Sequence, residues 1–227
     1  AIAEIMAKSG FDWLAIDMEH SSLSFTQAQQ IIRVVDLCGV TPLVRVMDNN
    51  PNLIKRFMDA GAHGIIVPMI NTQEEAKRAV SAVKYPPLGK RGVGLSRAQN
   101  YSLDFDSYYE WNQENSLVIV QVEHIKAIEN LESIMEVEGV DGFFIGPYDL
   151  SSSLNCTGNF EHPKMIAAME LVIKKSKDNG YVMGQHIVNP IPEHFQQCLK
   201  KGITFIAYGV DFLFIGEKIR NDLKIIK

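Results

Sequence analysis

Two carboxylates stand directly behind apolar runs. Glu123 follows "LVIVQV" (117–122), and Asp149 follows "GFFIGP" (142–147) by one residue. If those runs are neighbouring strands, the two side chains meet at one end of a sheet. Paired carboxylates repel unless a cation lies between them or they share a proton. Two oxygen donors with the remaining positions open suit Mg2+ or Mn2+, which keep water and accept substrate oxygens. The same spacing also allows each carboxylate to cap a following helix, in "EHIKAIENL" and "DLSSSL".

Other ionisable groups recur at run ends. Arg45 closes "PLVRV" and is always charged. It reads either as a clamp beside a developing oxyanion or as an ion-pair partner of Glu19 or Glu123. His20, in "AIDMEH", is placed as a general base would be, or as an ordinary structural histidine. Gln121, Tyr148, Gln185, His186 and Tyr208 fall at further run ends. Strand alternation prevents Gln185 and His186 from both facing inward. His186 shares its side with Gly184, where a barrel must leave room. No lysine lies within a predicted strand, and Lys84 and Lys126 read as helical, which weighs against Schiff-base catalysis. "GKRGVG" (89–94) looks like a phosphate loop but follows a Pro-Pro turn rather than a strand, so it is neither a Rossmann nor a Walker signature. His63, His162 and His194 read as surface residues, and "EEAKRAVSAVK" as a solvated helix face.

These positions must be held by a repeating frame. Seven short apolar runs alternate with segments of helical period such as "FTQAQQIIRVVDLCG" and "PNLIKRFMDAG", and several of these end at glycine. Strands that are apolar throughout predict a parallel sheet covered on both sides. The α/β pattern predicts a (β/α)8 TIM barrel lacking its first strand, because seven strands are visible and the chain opens on helix-like text. An open doubly wound sheet is the rival. Without repeats or a low-complexity linker, residues 1–227 read as one domain. Residues 85–116 form the longest irregular stretch, a candidate lid or interface.

Composition narrows the function. Hydrophobic residues make up 46% and charged residues 22%, an ordinary globular balance. A net charge of -5 argues against nucleic acid. No run is long enough for a membrane span, and the opening residues lack a signal-peptide layout. Cys38, Cys156 and Cys198 are scattered, which favours free thiols and a cytoplasmic protein. The C-terminal "VDFLFIGEKI" is too apolar for a solvent-facing helix and points to a homo-oligomer.

Several segments together resemble the HpcH/HpaI aldolase family of metal-dependent class II aldolases: "FDWLAIDMEHS", "PLVRV", "AGAHGIIVPMINTQEEAKRAVSAVKYPPLGKRGVG", "VIVQVEHIKAIENL" and "VEGVDGFFIGPYDLSSSL". The resemblance covers nearly the whole chain. It implies a (β/α)8 barrel, a hexamer (trimer of dimers) with the last helix exchanged between subunits, and reversible cleavage of a 4-hydroxy-2-oxo acid to pyruvate and an aldehyde. It implies Glu123 and Asp149 as ligands of Mg2+, Mn2+ or Co2+. Arg45 would bind the pyruvate oxygen and His20 would act as acid/base, paired with an aspartate that falls on Asp59. Gln121, Gly146 and Pro147 would line the pyruvate pocket. Tyr148 and His186, at positions the family often fills with small or aliphatic residues, would meet the aldehyde. The alternatives are a CoA-thioester lyase of the citrate-lyase-beta type and a 2-oxo-acid-binding protein without turnover. No basic segment for CoA phosphates is visible in the sequence.

Overall fold

The structure, a computed structural model, describes residues 1–226. Seven strands form one parallel sheet in sequential order: β1 (Trp13–Asp17), β2 (Thr41–Arg45), β3 (Gly64–Val67), β4 (Leu117–Val122), β5 (Gly142–Ile145), β6 (Met183–Ile187) and β7 (Phe205–Tyr208). Sequential order excludes the doubly wound rival, which requires a reversal of strand order. Each strand is β-branched or apolar along most of its length, as a sheet covered on both faces requires.

Eleven α-helices intervene among the described residues: α1 (Ile2–Ala7), α2 (Phe25–Leu37), α3 (Pro51–Asp59), α4 (Gln73–Val83), α5 (Phe105–Asn115), α6 (Ile125–Glu129), α7 (Leu131–Met135), α8 (Pro147–Ser153), α9 (Pro163–Asn179), α10 (Pro192–Lys200) and α11 (Asp211–Ile226). Their starts are set locally. Ser24 with Gln27, and Thr72 with Glu75, form reciprocal capping boxes that satisfy free N–H groups of α2 and α4. α9 stops at Gly180, whose left-handed φ of 70° only glycine adopts at no cost. None of these helices is long and apolar enough to cross a membrane.

Alternation divides the sheet into two faces. Ile16, Val44, Ile65, Val120, Phe143 and Met183 pack outward against the helices in the main core. Ile66, Ile119 and Phe144 pack inward with Trp13, Phe205 and Ala207. The sheet curls enough for side chains of its two edge strands to meet: Trp13 of β1 stacks on Phe205 of β7 with ring centroids 4.5 Å apart. Phe144 meets Phe205 edge-on at 5.7 Å. These rings close the inner face below the strand ends, so small groups approach from the C-terminal side.

The 85–116 stretch is less irregular than expected. It contains a 3-10 turn (Arg97–Ser102) and α5. Buried Lys84 fastens α5: its Nζ donates to the carbonyls of Asn112 (3.0 Å), Gln113 (3.0 Å) and Ser116 (2.7 Å). This lysine belongs to the packing of α4 against α5, not to the inner face of the sheet.

Gly184 lies against the aromatic floor. A Cβ there would stand 2.4 Å from Phe144 and 2.6 Å from Phe205. Gly184→Ala is therefore expected to destabilise the protein by roughly 1–3 kcal/mol through overpacking. Urea unfolding checks this; an unchanged midpoint would mean that the rings are free to give way.

Candidate active site

The parallel register brings the first two charges together. Asp17 and Arg45 end adjacent strands and are direct partners. The guanidinium grips the carboxylate twice, Nε to Oδ1 at 2.9 Å and Nη2 to Oδ2 at 2.6 Å. Burial pushes the Asp17 carboxyl up, but the Arg45 hydrogen bonds and charge outweigh it and hold Asp17 below the usual carboxylate range. Asp17 Oδ1 also accepts the backbone N–H groups of Glu19 (3.0 Å) and His20 (3.2 Å). That folds the strand exit back and sets Glu19 Oε2 3.4 Å from Arg45 Nη1, with His20 Nε2 3.8 Å from the same oxygen. Burial pushes Glu19 up, against the pull of Arg45.

Glu123 emerges from β4 and is 2% exposed. Its Oε1 accepts from Met69 N at 2.7 Å and its Oε2 from Gln121 Nε2 at 2.5 Å. Desolvation pushes its carboxyl up to about 7, and the charges of Glu19 and Asp149 add to the rise. Gly146 leaves the space for it: a Cβ there would lie 2.5 Å from Glu123 Oε2. Pro147 opens α8, and Asp149 sits exposed in its first turn.

Neither carboxylate is a helix cap. His124, not Glu123, caps α6, and α8 has no side-chain cap. Arg45 is an ion-pair partner of Glu19, as one of its two readings has it, and also of Asp17, and it feels the charge of Glu123.

The donor set fits a hard divalent cation. It is all oxygen, and Glu19 Oε2 and Gln121 Oε1 are buried without a hydrogen-bond partner. Among the described residues no three His, Cys, Asp or Glu side chains converge closely enough to hold a metal by themselves. Glu123 and Asp149 could thus supply part of a shell that water and substrate oxygens complete.

His186 faces inward on β6, as its partnering with Ala207 requires, and its Nε2 lies 3.2 Å from Gly209 O. Burial draws its pKa below the ordinary histidine value, opposed by that hydrogen bond. A carbonyl only accepts, so Nε2 carries the proton and Nδ1 keeps a lone pair. Tyr148 is exposed and packs edge-on against Phe160, with centroids 5.0 Å apart.

Asp59 is not brought to His20 within this chain. It ends α3, whose C-terminus lies beside the strand starts, and it is held 2.6 Å from Arg91 Nη2. Arg91 in turn donates to Tyr108 at 2.9 Å. The residue that does organise the His20 turn is Asp17, which the sequence reading passed over although it ends its strand in line with Arg45. The Met69 amide and the Gly209 carbonyl, being backbone groups, leave no mark in residue type.

The family model for HpcH/HpaI aldolase/citrate lyase matches residues 1–215. A curated Salmonella paratyphi A protein, "2-keto-3-deoxy-L-rhamnonate aldolase", is 40% identical over all of this chain and 84% of its own length. Two solved structures superpose closely. A HpcH/HpaI aldolase/citrate lyase family protein from Burkholderia cenocepacia J2315 has a TM-score of 0.92 at 32% identity, over 99% of this chain and 89% of its own. The HpcH/HpaI aldolase from Desulfitobacterium hafniense DCB-2 gives 0.91 at 30%, over 100% and 87%.

A raised carboxyl has a thermodynamic signature. The folded protein holds the Glu123 proton up to about pH 7, whereas the unfolded chain releases it near the ordinary glutamate value of 4.5. The stabilisation from that proton is full below the unfolded value and is lost as pH rises through the folded one. In EDTA, wild type should lose up to ~3 kcal/mol between pH 4.5 and pH 8 that Glu123→Gln does not lose. Parallel melting curves for the two proteins across that range would show Glu123 to be ionised throughout.

Proposed function

Because the chain belongs to the HpcH/HpaI aldolase/citrate lyase family and is an aldolase, we propose that it cleaves a 4-hydroxy-2-oxo acid reversibly to pyruvate and an aldehyde, with a divalent metal at Glu123 and Asp149. The observation that carries this reading is a buried carboxylate, Glu123, within electrostatic reach of a guanidinium, Arg45, that Asp17 holds in one orientation.

A divalent cation in that position would act as a Lewis acid toward the carboxylate and 2-oxo oxygens of the substrate. The chain's own groups divide the remaining work. His20 accepts the proton of the C4 hydroxyl as the C3–C4 bond breaks. The electron pair passes toward C3 and the 2-oxo oxygen, and C4 becomes the aldehyde carbon. Arg45 keeps N–H groups beyond those given to Asp17, and these stabilise the negative charge on that oxygen. Protonation at C3 then yields pyruvate. Gln121 and the Gly146–Pro147 backbone bound the pyruvate end. The free Nδ1 of His186 accepts from a hydroxyl on the aldehyde half, and exposed Tyr148 borders the entrance. The Salmonella relative is named for a 2-keto-3-deoxy sugar acid, and we assign this chain a substrate of that class. We assign Asp59 to a neighbouring copy's site.

We also propose that the sheet is the greater part of a (β/α)8 barrel, one domain, whose remaining strand would lie between β7 and β1. The free thiols Cys38, Cys156 and Cys198 support a cytoplasmic setting.

A coupled assay of pyruvate release from 2-keto-3-deoxy-L-rhamnonate tests the chemistry. EDTA should abolish it, and Mg2+, Mn2+ or Co2+ should restore it. Arg45→Lys keeps the charge but loses the planar fork, so kcat should fall about 100-fold, with a smaller change in metal affinity. Full activity in excess EDTA, or wild-type kinetics for the lysine variant, would sink the assignment.

The last helix supports assembly. Phe212, Ile215, Ile219 and Leu223 recur at helical spacing along α11, all exposed, and the helix has no buried residue. Such a stripe implies a partner surface, and we assign it to a second copy within a hexamer. Sedimentation velocity at micromolar concentration should find the oligomer; a monomer would refute this part.

A further inference from the structure

A groove of about 650 Å³ runs between α3, α4 and the loop 87–92. Its lining holds Lys55, Lys77, Arg78, Lys90 and Arg91 and no aspartate or glutamate. That is unexpected in a chain with 27 acidic and 22 basic residues. Arg91 is buried and committed to Asp59 and Tyr108, with its Nε lacking any acceptor among the described residues. The other four make no ion pair among the described residues; Lys77 touches only the neutral Gln73 amide. Ser81 adds a hydroxyl, and the backbone at Gly92 is open, since a Cβ there would meet nothing within 4 Å.

Concentrated like charge without counter-charge raises the local concentration of anions. Four cations from two helices and one loop suit a multivalent anion better than a single carboxylate. The groove is too confined for a duplex, and the chain's net charge opposes nucleic acid. We propose that this groove binds a small phosphate-bearing anion of diphosphate or nucleoside-diphosphate size. It draws in "GKRGVG", which lacks the strand that a Walker loop requires: the loop contributes the Lys90 side chain, the amides of Gly89, Lys90 and Arg91 being bonded to the carbonyls of Tyr85, Ser81 and Lys84, and the helices contribute the remaining charge.

Calorimetric titration of inorganic pyrophosphate and of ADP into the full chain tests this, in EDTA so that no metal-bound phosphate contributes. Saturable binding should weaken with added salt. It should fall about tenfold or more in Lys55→Gln/Arg78→Gln, a neutral pair chosen to spare the fold, at an unchanged melting temperature. Pyrophosphate binding without ADP binding would assign the groove to free diphosphate; binding of both would extend it to nucleotides. No heat at millimolar ligand would overturn the proposal. So would equal affinity in the variant, which would place the anion elsewhere, or tighter binding of RNA at matched phosphate.

Discussion

The clasp between Asp17 and Arg45 decides how the mouth of the sheet is built. Both residues end strands in the same register, so their side chains leave on the same face at the same height. Two parallel hydrogen bonds fix the guanidinium plane. The same carboxylate gathers two backbone amides and thereby turns the chain toward Glu19 and His20. Without Asp17, Arg45 would keep its charge and lose its direction. Without Arg45, Asp17 would be left half-buried with no cation, a costly state for a carboxylate.

Around Glu123 the backbone does comparable work. Met69 adopts a left-handed φ of 55°, which a non-glycine residue rarely takes, and its amide donates to Glu123. Gly146, between β5 and α8, answers by having no side chain where Glu123 must lie. A buried carboxylate is thus held from both sides by groups that a larger or differently turned residue would displace. The aromatic floor of Trp13, Phe144 and Phe205 seals the inner face beneath it.

Much of this was legible in the chain. Continuous apolar runs gave the strands because burial on both faces removes alternation, and Arg45, Glu123 and Asp149 stood out because charge beside such runs is rare. Register was the missing step, since residue type alone does not say that Asp17 and Arg45 lie opposite each other. Asp59 shows the same limit: helical period places it at the end of α3, on the far side of its own sheet, where Arg91 takes it, but residue type does not say which site it serves. The 85–116 stretch looked loose because α5 is held by carbonyl contacts to Lys84, which leave no periodic signal. The basic groove was invisible because its charges come from three separate segments.

Charge at the mouth is unbalanced. Asp17, Glu19, Glu123 and Asp149 contribute four carboxyl groups, and among the described residues Arg45 is the one guanidinium in ion-pair contact with any of them. Asp17 is satisfied; Glu123, the most deeply buried of the other three, is pushed toward neutral pH chiefly by desolvation, and the charges of Glu19 and Asp149 add to the rise. A site in that condition is poised rather than finished. A further positive charge nearby would favour the ionised form of Glu123, and Asp149 stands open at the entrance with no competing hydrogen bond among the described residues. With the proposed cation at Glu123 and Asp149, its binding and release of the Glu123 proton would be linked, each favouring the other. The tension that would make the pocket unfavourable in a purely structural protein is the property that suits it to a cation and an anionic substrate together.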